Sequence, residues 1–231
     1  MNLADRSSTV PPLCRELDVY HDQAFRSAAT NMAIDEALLE MADRPSIRFY
    51  RWDHPALSFG YFGKIADVKK IAGQRDLVRR WTGGGIVFHG HDLTYALVIP
   101  SSAGLKAQSS RFVYAAVHAA IGEALRRCGL AAELAQADAT SDSEACFERP
   151  VISDVLVSGR KVAGAAHRRN RRGLLHQGSI QNIGILDTLA SSIAGQLTMK
   201  VEERILDKPI MGRAAQIAES KYATPEWLCR W

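Results

Sequence analysis

The stretch Arg79 to His89 reads RRWTGGGIVFH, three consecutive glycines set between two segments rich in β-formers. Asp76 to Trp81 precedes them; Ile86-Val87-Phe88 and then Leu93 to Ile99 follow, so the glycines interrupt a sheet. Lacking Cβ atoms, Gly83, Gly84 and Gly85 admit positive φ and let a ligand approach the backbone N–H groups closely. Each weakens a strand by roughly 0.5–1 kcal/mol relative to alanine, a cost that a plain turn need not carry. Arg79 and Arg80 beside such a loop can pair with a carboxylate, a carbonyl or a phosphate. The spacing is neither GxxxxGK[ST] nor GxGxxG, which argues against a purine nucleotide held by those devices.

The chain has 231 residues, enough for one sizeable core. No apolar run approaches the length needed to span a membrane, and Asp5 with no apolar stretch beside it argues against a signal peptide, so a cytoplasmic protein is expected. The four cysteines, Cys14, Cys128, Cys146 and Cys229, form no CxxC pair, which speaks against a zinc ribbon and against a disulfide framework. The net charge is +4, with Arg168, Arg169, Arg171 and Arg172 crowded together. That cluster is either a solvated basic loop or a contact for an acidic partner; nucleic acid binding would need more basic surface with interleaved aromatics.

Taken in order, residues 1–26 read as a leader with a first strand, and 27–231 as a single domain. Apolar residues at Ile34, Ala37, Leu38 and Met41 predict a helix capped by Ser27 or Thr30. Strands are expected at 47–52 and 56–60, a short helix at 67–74, and a long helix from Ser109 to Cys128 stopped by Gly129. Residues 135–143 read as an exposed loop, Ser153 to Val157 and Lys161 to Ala166 as a hairpin, and Leu174 to Ile180 as another strand. Short helices are expected at 186–197, 201–206 and 212–222. Strands in hairpins with helices packed to one side predict an α+β layered domain. Small residues at 163–166, including Gly164 and Ala165, leave room for a ligand or another backbone.

Among the candidates for chemistry, Cys146 stands out because it lies in a loop rather than in an apolar helix. Such a thiol becomes a nucleophile where a nearby cation favours its thiolate, and the hairpin could fold Lys161 back toward it. A satisfied thiol with a solvated lysine is the competing reading. His89 and His91 have no partner at metal-ligand spacing, so hydrogen bonding or exposure is expected; Asp35 and Glu36 read as a solvated face or cap support.

RRWTGGGIVFH followed by DLTYALVIP, together with NMAIDEAL, GRKVAGAAHR and LLHQGSI, resembles the signature of the lipoate protein ligase, octanoyltransferase and biotin protein ligase superfamily. The resemblance implies a mixed, largely antiparallel sheet flanked by helices, of the kind shared with class II aminoacyl-tRNA synthetases. It implies that Lys161 is the family's lysine, and that the arginine and glycine loop and the lysine strand enclose an acyl group. ACFERP ahead of the lysine strand is similar to the octanoyltransferase branch with its nucleophile in this loop. The reading is therefore transfer of octanoyl from acyl carrier protein to a lysine of a lipoyl domain. In it Cys146 is the nucleophile and Lys161 favours its thiolate. Arg79, Arg80, Thr82 and Gly83 to Gly85 hold the acyl group, His89 and His176 line the pocket with Gly164 and Ala165, and no cofactor is required. The alternatives are a lipoate ligase using ATP and Mg through lipoyl-AMP, and a non-catalytic acyl-binding relative.

Overall fold

The structure is a computed structural model that describes residues 11–104, 108–138, 150–184 and 187–230. Its main layer is an eight-stranded sheet. The strands are β1 (Cys14–His21), β2 (Ser46–Tyr50), β6 (Leu93–Pro100), β7 (Ala132–Leu134), β8 (Val155–Val157), β9 (Arg160–Asn170), β10 (Gly173–Ile180) and β11 (Thr198–Arg204). They run in the order β11-β1-β2-β6-β10-β9-β8-β7, and only the β11–β1–β2 edge is parallel. A smaller sheet, β4-β3-β5, consists of β3 (Ala56–Phe59), β4 (Asp76–Arg79) and β5 (Ile86–His89). This is the mixed, largely antiparallel α+β architecture that the sequence predicts.

Alternation along β6 and β10 decides which helices cover which face. Tyr95, Leu97 and Ile99 of β6, with Leu174 and Ile180 of β10, pack under α3 (Ser110–Arg127) and α4 (Leu189–Leu197). Ala96, Val98 and Leu175 face α1 (Ala28–Met41) and α5 (Lys208–Ile217) on the other side. Ser27 caps α1 by accepting from Thr30 N–H, and Ser109 caps α3 by accepting from Phe112 N–H. A short α2 (Ile65–Ile71) leads into β4, and α6 (Pro225–Leu228) is the last helix among the described residues. No helix among the described residues is long and apolar enough to cross a membrane.

Two expectations are corrected here. Residues 201–206 are not helical; Thr198 to Arg204 form β11, paired parallel to β1. Its exposed face carries charge rather than an apolar period, so the pairing comes from the open backbone edge of β1, which no side-chain pattern announces. Nor are Arg168 and Arg169 in a loop: β9 runs on through Asn170, setting them opposite Leu175 and Leu174 of β10. The small sheet was also not anticipated. In it β4 and β5 flank β3 rather than each other, so the glycines cross the end of β3 instead of turning a hairpin.

Leu97 lies at the centre of the main sheet with no exposed surface. Leu97→Ala is expected to lower unfolding stability by about 2–5 kcal/mol, read as a lower urea midpoint at unchanged slope.

Candidate active site

The small sheet lies over the α1 face of the main sheet, and the glycine loop closes the gap between them. Gly84 takes φ +84°, a conformation that glycine supports. A Cβ on Gly84 would stand 3.1 Å from the Ala166 Cβ of β9, and one on Gly60 would overlap the Gly84 carbonyl oxygen. Two backbones therefore meet over β9 at a distance only glycines allow. Arg80 locks the loop from inside, donating from Nη2 to the carbonyls of Gly83 (3.0 Å) and Gly85 (2.8 Å) and from Nη1 to Ser58 Oγ (2.7 Å).

Under the loop lies a narrow cleft whose walls include Gly84, Gly164, Ala165, Ala166, Trp52 and Met32. Its accessible surface is mostly carbon, with polar groups tied down by one another. Thr82 Oγ1 donates to Gln177 Oε1 (2.8 Å), and Gln177 Nε2 donates to Asp35 Oδ2 (2.7 Å). Asp35 also accepts from Arg48 Nη1 (2.9 Å) and Tyr50 OH (2.9 Å). Burial pushes the Asp35 carboxyl up, against the pull of Arg48, Gln177 and Tyr50. Asp35 has no exposed surface, and Glu36 is buried against Lys221 and the Tyr222 hydroxyl. The solvated face expected for this pair is thus overturned. Sequence periodicity carries no mark of a partner such as Arg48, 13 positions away.

At the other end of the cleft, His89 bridges Ser58 Oγ (2.6 Å) and Asp92 Oδ2 (2.7 Å) and stacks on Trp52. Thr94 and Ser179 also donate to Asp92 Oδ2, each at 2.7 Å. Burial would raise the Asp92 carboxyl, but His89 and the two hydroxyls outweigh it and hold it well below the usual carboxylate range. His89 meets the expectation of hydrogen bonding through Asp92, a residue that the sequence reading did not single out.

Lys161 is buried and pairs with Asp154 Oδ2 at 2.7 Å. Its ammonium lies against the cleft wall: a Cβ on Gly164 would come within 2.7 Å of Lys161 Nζ. Asp154 is held in turn by Tyr114 OH (2.5 Å) and by the backbone N–H of Val151 (2.7 Å). The solvated turn lysine is excluded. Cys146 lies outside the described residues, five positions before Val151 in the sequence.

Two expected acyl contacts stand elsewhere. Arg79 is fully buried and donates to the carbonyls of Tyr61, Gly63, Trp227 and Leu228, while Trp227 Nε1 donates to the Arg79 carbonyl (2.9 Å). Alternation along β4 turns it away from the cleft and toward the C-terminal segment. His176 faces α3, stacking with Tyr95 and edge-on to Tyr114, whereas its neighbour Gln177 faces the cleft. A one-residue step on a strand changes face, and the apolar run LLHQGSI does not reveal which face is which. Gly84, Arg80, His89, Gly164 and Ala165 all border the cleft, and Thr82 hydrogen-bonds its lining residue Gln177.

With this geometry in view, residues 27–216 match the family model of the lipoyl protein ligase A/B catalytic domain. The chain belongs to that family. It is 34% identical over 206 residues to the octanoyltransferase LipM of Oceanobacillus iheyensis, an alignment covering 84% of this chain and 76% of that relative. It is 37% identical over 169 residues to the octanoyltransferase LipM of Kyrpidia tusciae, covering 67% of this chain and 62% of that one. The chain thus spans somewhat less than two thirds of some of these relatives and about three quarters of others. In fold it is similar to Ta0514, a putative lipoate protein ligase from T. acidophilum, with a TM-score of 0.76, 20% identity and coverage of 94% of this chain and 100% of that one. It is likewise similar to lipoate-protein ligase A bound with ATP, with a TM-score of 0.74, 20% identity and coverage of 93% and 98%.

Gly60→Ala is expected to displace the glycine loop and raise the half-saturating concentration of an acyl ligand at least tenfold, with circular dichroism unchanged. Asp92, with its folded-state affinity for protons depressed, contributes stability above about pH 4 that is lost as pH falls further. Wild type is therefore expected to lose more thermal stability than Asp92→Asn between pH 5 and pH 3, as followed by melting temperature.

Proposed function

We propose that the chain is an octanoyltransferase that moves octanoyl from acyl carrier protein to a lysine of a lipoyl domain through a Cys146 thioester. The observation that carries this reading is the buried Lys161–Asp154 pair at the wall of a mostly apolar cleft, in a chain whose curated relatives are octanoyltransferases. A buried ammonium beside a reacting carbonyl stabilises both a neighbouring thiolate and the oxyanion that forms on attack. Asp154 pairs with that ammonium and aims it.

In the first half-reaction the Cys146 thiolate attacks the donor thioester carbonyl, and the carrier thiol leaves, taking up a proton. In the second, the acceptor amine attacks the enzyme thioester, the amide forms, the cysteine sulfur departs and the amine proton is lost. Neither step needs a nucleotide or a metal. The closed glycine loop, with Arg80 holding its carbonyls, shapes the roof over the acyl chain, and the Trp52–His89 stack forms part of the wall. A relative in fold carries the description of a bi-partite lipoate protein ligase and its E2 lipoyl domain, which supports a lipoyl domain as acceptor.

Incubation with octanoyl carrier protein should add one octanoyl group to the intact mass of wild type and none to Cys146→Ala. Lys161→Met should form the thioester at least a hundredfold more slowly. Full transfer by Cys146→Ala would overturn the assignment. Pyrophosphate release on adding lipoate and ATP would replace it with ligation, and octanoate binding with neither activity would leave an acyl-binding protein.

A further inference from the structure

Helix α3 reaches the Lys161–Asp154 pair with two side chains one turn apart. Tyr114 OH donates to Asp154 Oδ1 at 2.5 Å and accepts from the backbone N–H of Ala165 at 3.3 Å. His118 Nδ1 bonds the carbonyl of Ser153 at 2.7 Å. Ser153 has φ +71°, unusual for a residue with a side chain, so His118 holds a turn that would otherwise relax. Among the described residues the carboxylate of Asp154 thus has three donors: Tyr114, Lys161 and the Val151 amide. Tyr114 touches both Asp154 and the cleft wall at Ala165.

We propose that Tyr114 is a positioning residue for the acyl-transfer chemistry, acting on Lys161 through Asp154 and fixing the distance between the lysine's partner and the wall of the acyl cleft. The inference rests on the octanoyltransferase reading above. A carboxylate that receives a hydroxyl hydrogen bond has part of its charge satisfied and pulls less on the ammonium it also holds. Without that hydroxyl, Asp154 neutralises Lys161 more fully, and a neighbouring thiolate is favoured less. Among the described residues, the titratable groups facing the pair are Tyr114 and His118 from α3 and Tyr95 from β6, with His176 of β10 edge-on to Tyr114. Burial pulls the His118 imidazole down to about 4, only partly offset by Asp154, so it stays neutral through the working range. Neither tyrosine ionises there either, since burial raises both. Lys161, Asp154 and the nucleophile are left as the groups whose balance the hydroxyl sets.

The test is Tyr114→Phe in the full chain, with transfer from octanoyl carrier protein to a lipoyl domain followed across pH. The rate at saturation should fall about tenfold while KM stays within about twofold. Both limbs of the pH–rate profile should move about half a unit or more to higher pH. Val117→Ala, one turn along α3 in the apolar core, loosens the same helix without touching Asp154 and should lower the melting temperature with both limbs in place. Limbs unmoved in Tyr114→Phe, or moved equally in Val117→Ala, would overturn the inference. Wild type that forms no thioester would instead remove the octanoyltransferase reading beneath it.

Discussion

Arg79 is a cation with no exposed surface whose guanidinium lies among backbone carbonyls, and the rest of the site depends on how it is held. Burying an ammonium or guanidinium without compensation costs several kcal/mol, so its acceptors are fixed as firmly as any part of the core. They come from the loop after β3 and from the C-terminal turn, and Trp227 returns a bond to the Arg79 carbonyl. One side chain thus joins three distant segments at the base of β4. Its neighbour Arg80 turns the other way and holds the glycine loop, so the two arginines divide the work: one anchors the strand, the other shapes the roof.

The opposite wall depends on a second buried charge. Asp35 on α1 is reached by Arg48 and Tyr50 of β2 and by Gln177 of β10, and Gln177 continues to Thr82 at the entrance of the glycine loop. Helix, main sheet and loop are connected through buried side chains. Such a network is costly to break because each member leaves another unsatisfied, and this gives the cleft a defined width. The walls of the cleft are thereby fixed by the fold itself.

What the sequence showed was local chemistry. Three glycines announced a close backbone approach, and Gly84 over Ala166 with Gly60 beneath it is that approach; Ser27 and Ser109 announced helix starts that the structure retains. The motif resemblance supplied the sheet type and the role expected of Lys161. What it did not show was facing and distant pairing. His176 sits in a strand that is buried throughout and Arg79 at the buried end of a four-residue strand, so periodicity could not tell cleft from core. Asp35, Ser58, Asp92 and Asp154 acquire meaning only through partners brought close by folding, and β11 only through the free edge of β1.

The Trp227 and Leu228 carbonyls have a consequence for the order of events during synthesis. Arg79 leaves the ribosome some 148 residues before the first of the groups that solvate its charge on that side. At roughly 5–20 residues per second, this gives an interval of several seconds or more in which the nascent β4 strand holds a cation without its full shell. The anchoring of β4, and with it the base of the glycine loop, is therefore among the last features of the fold to mature.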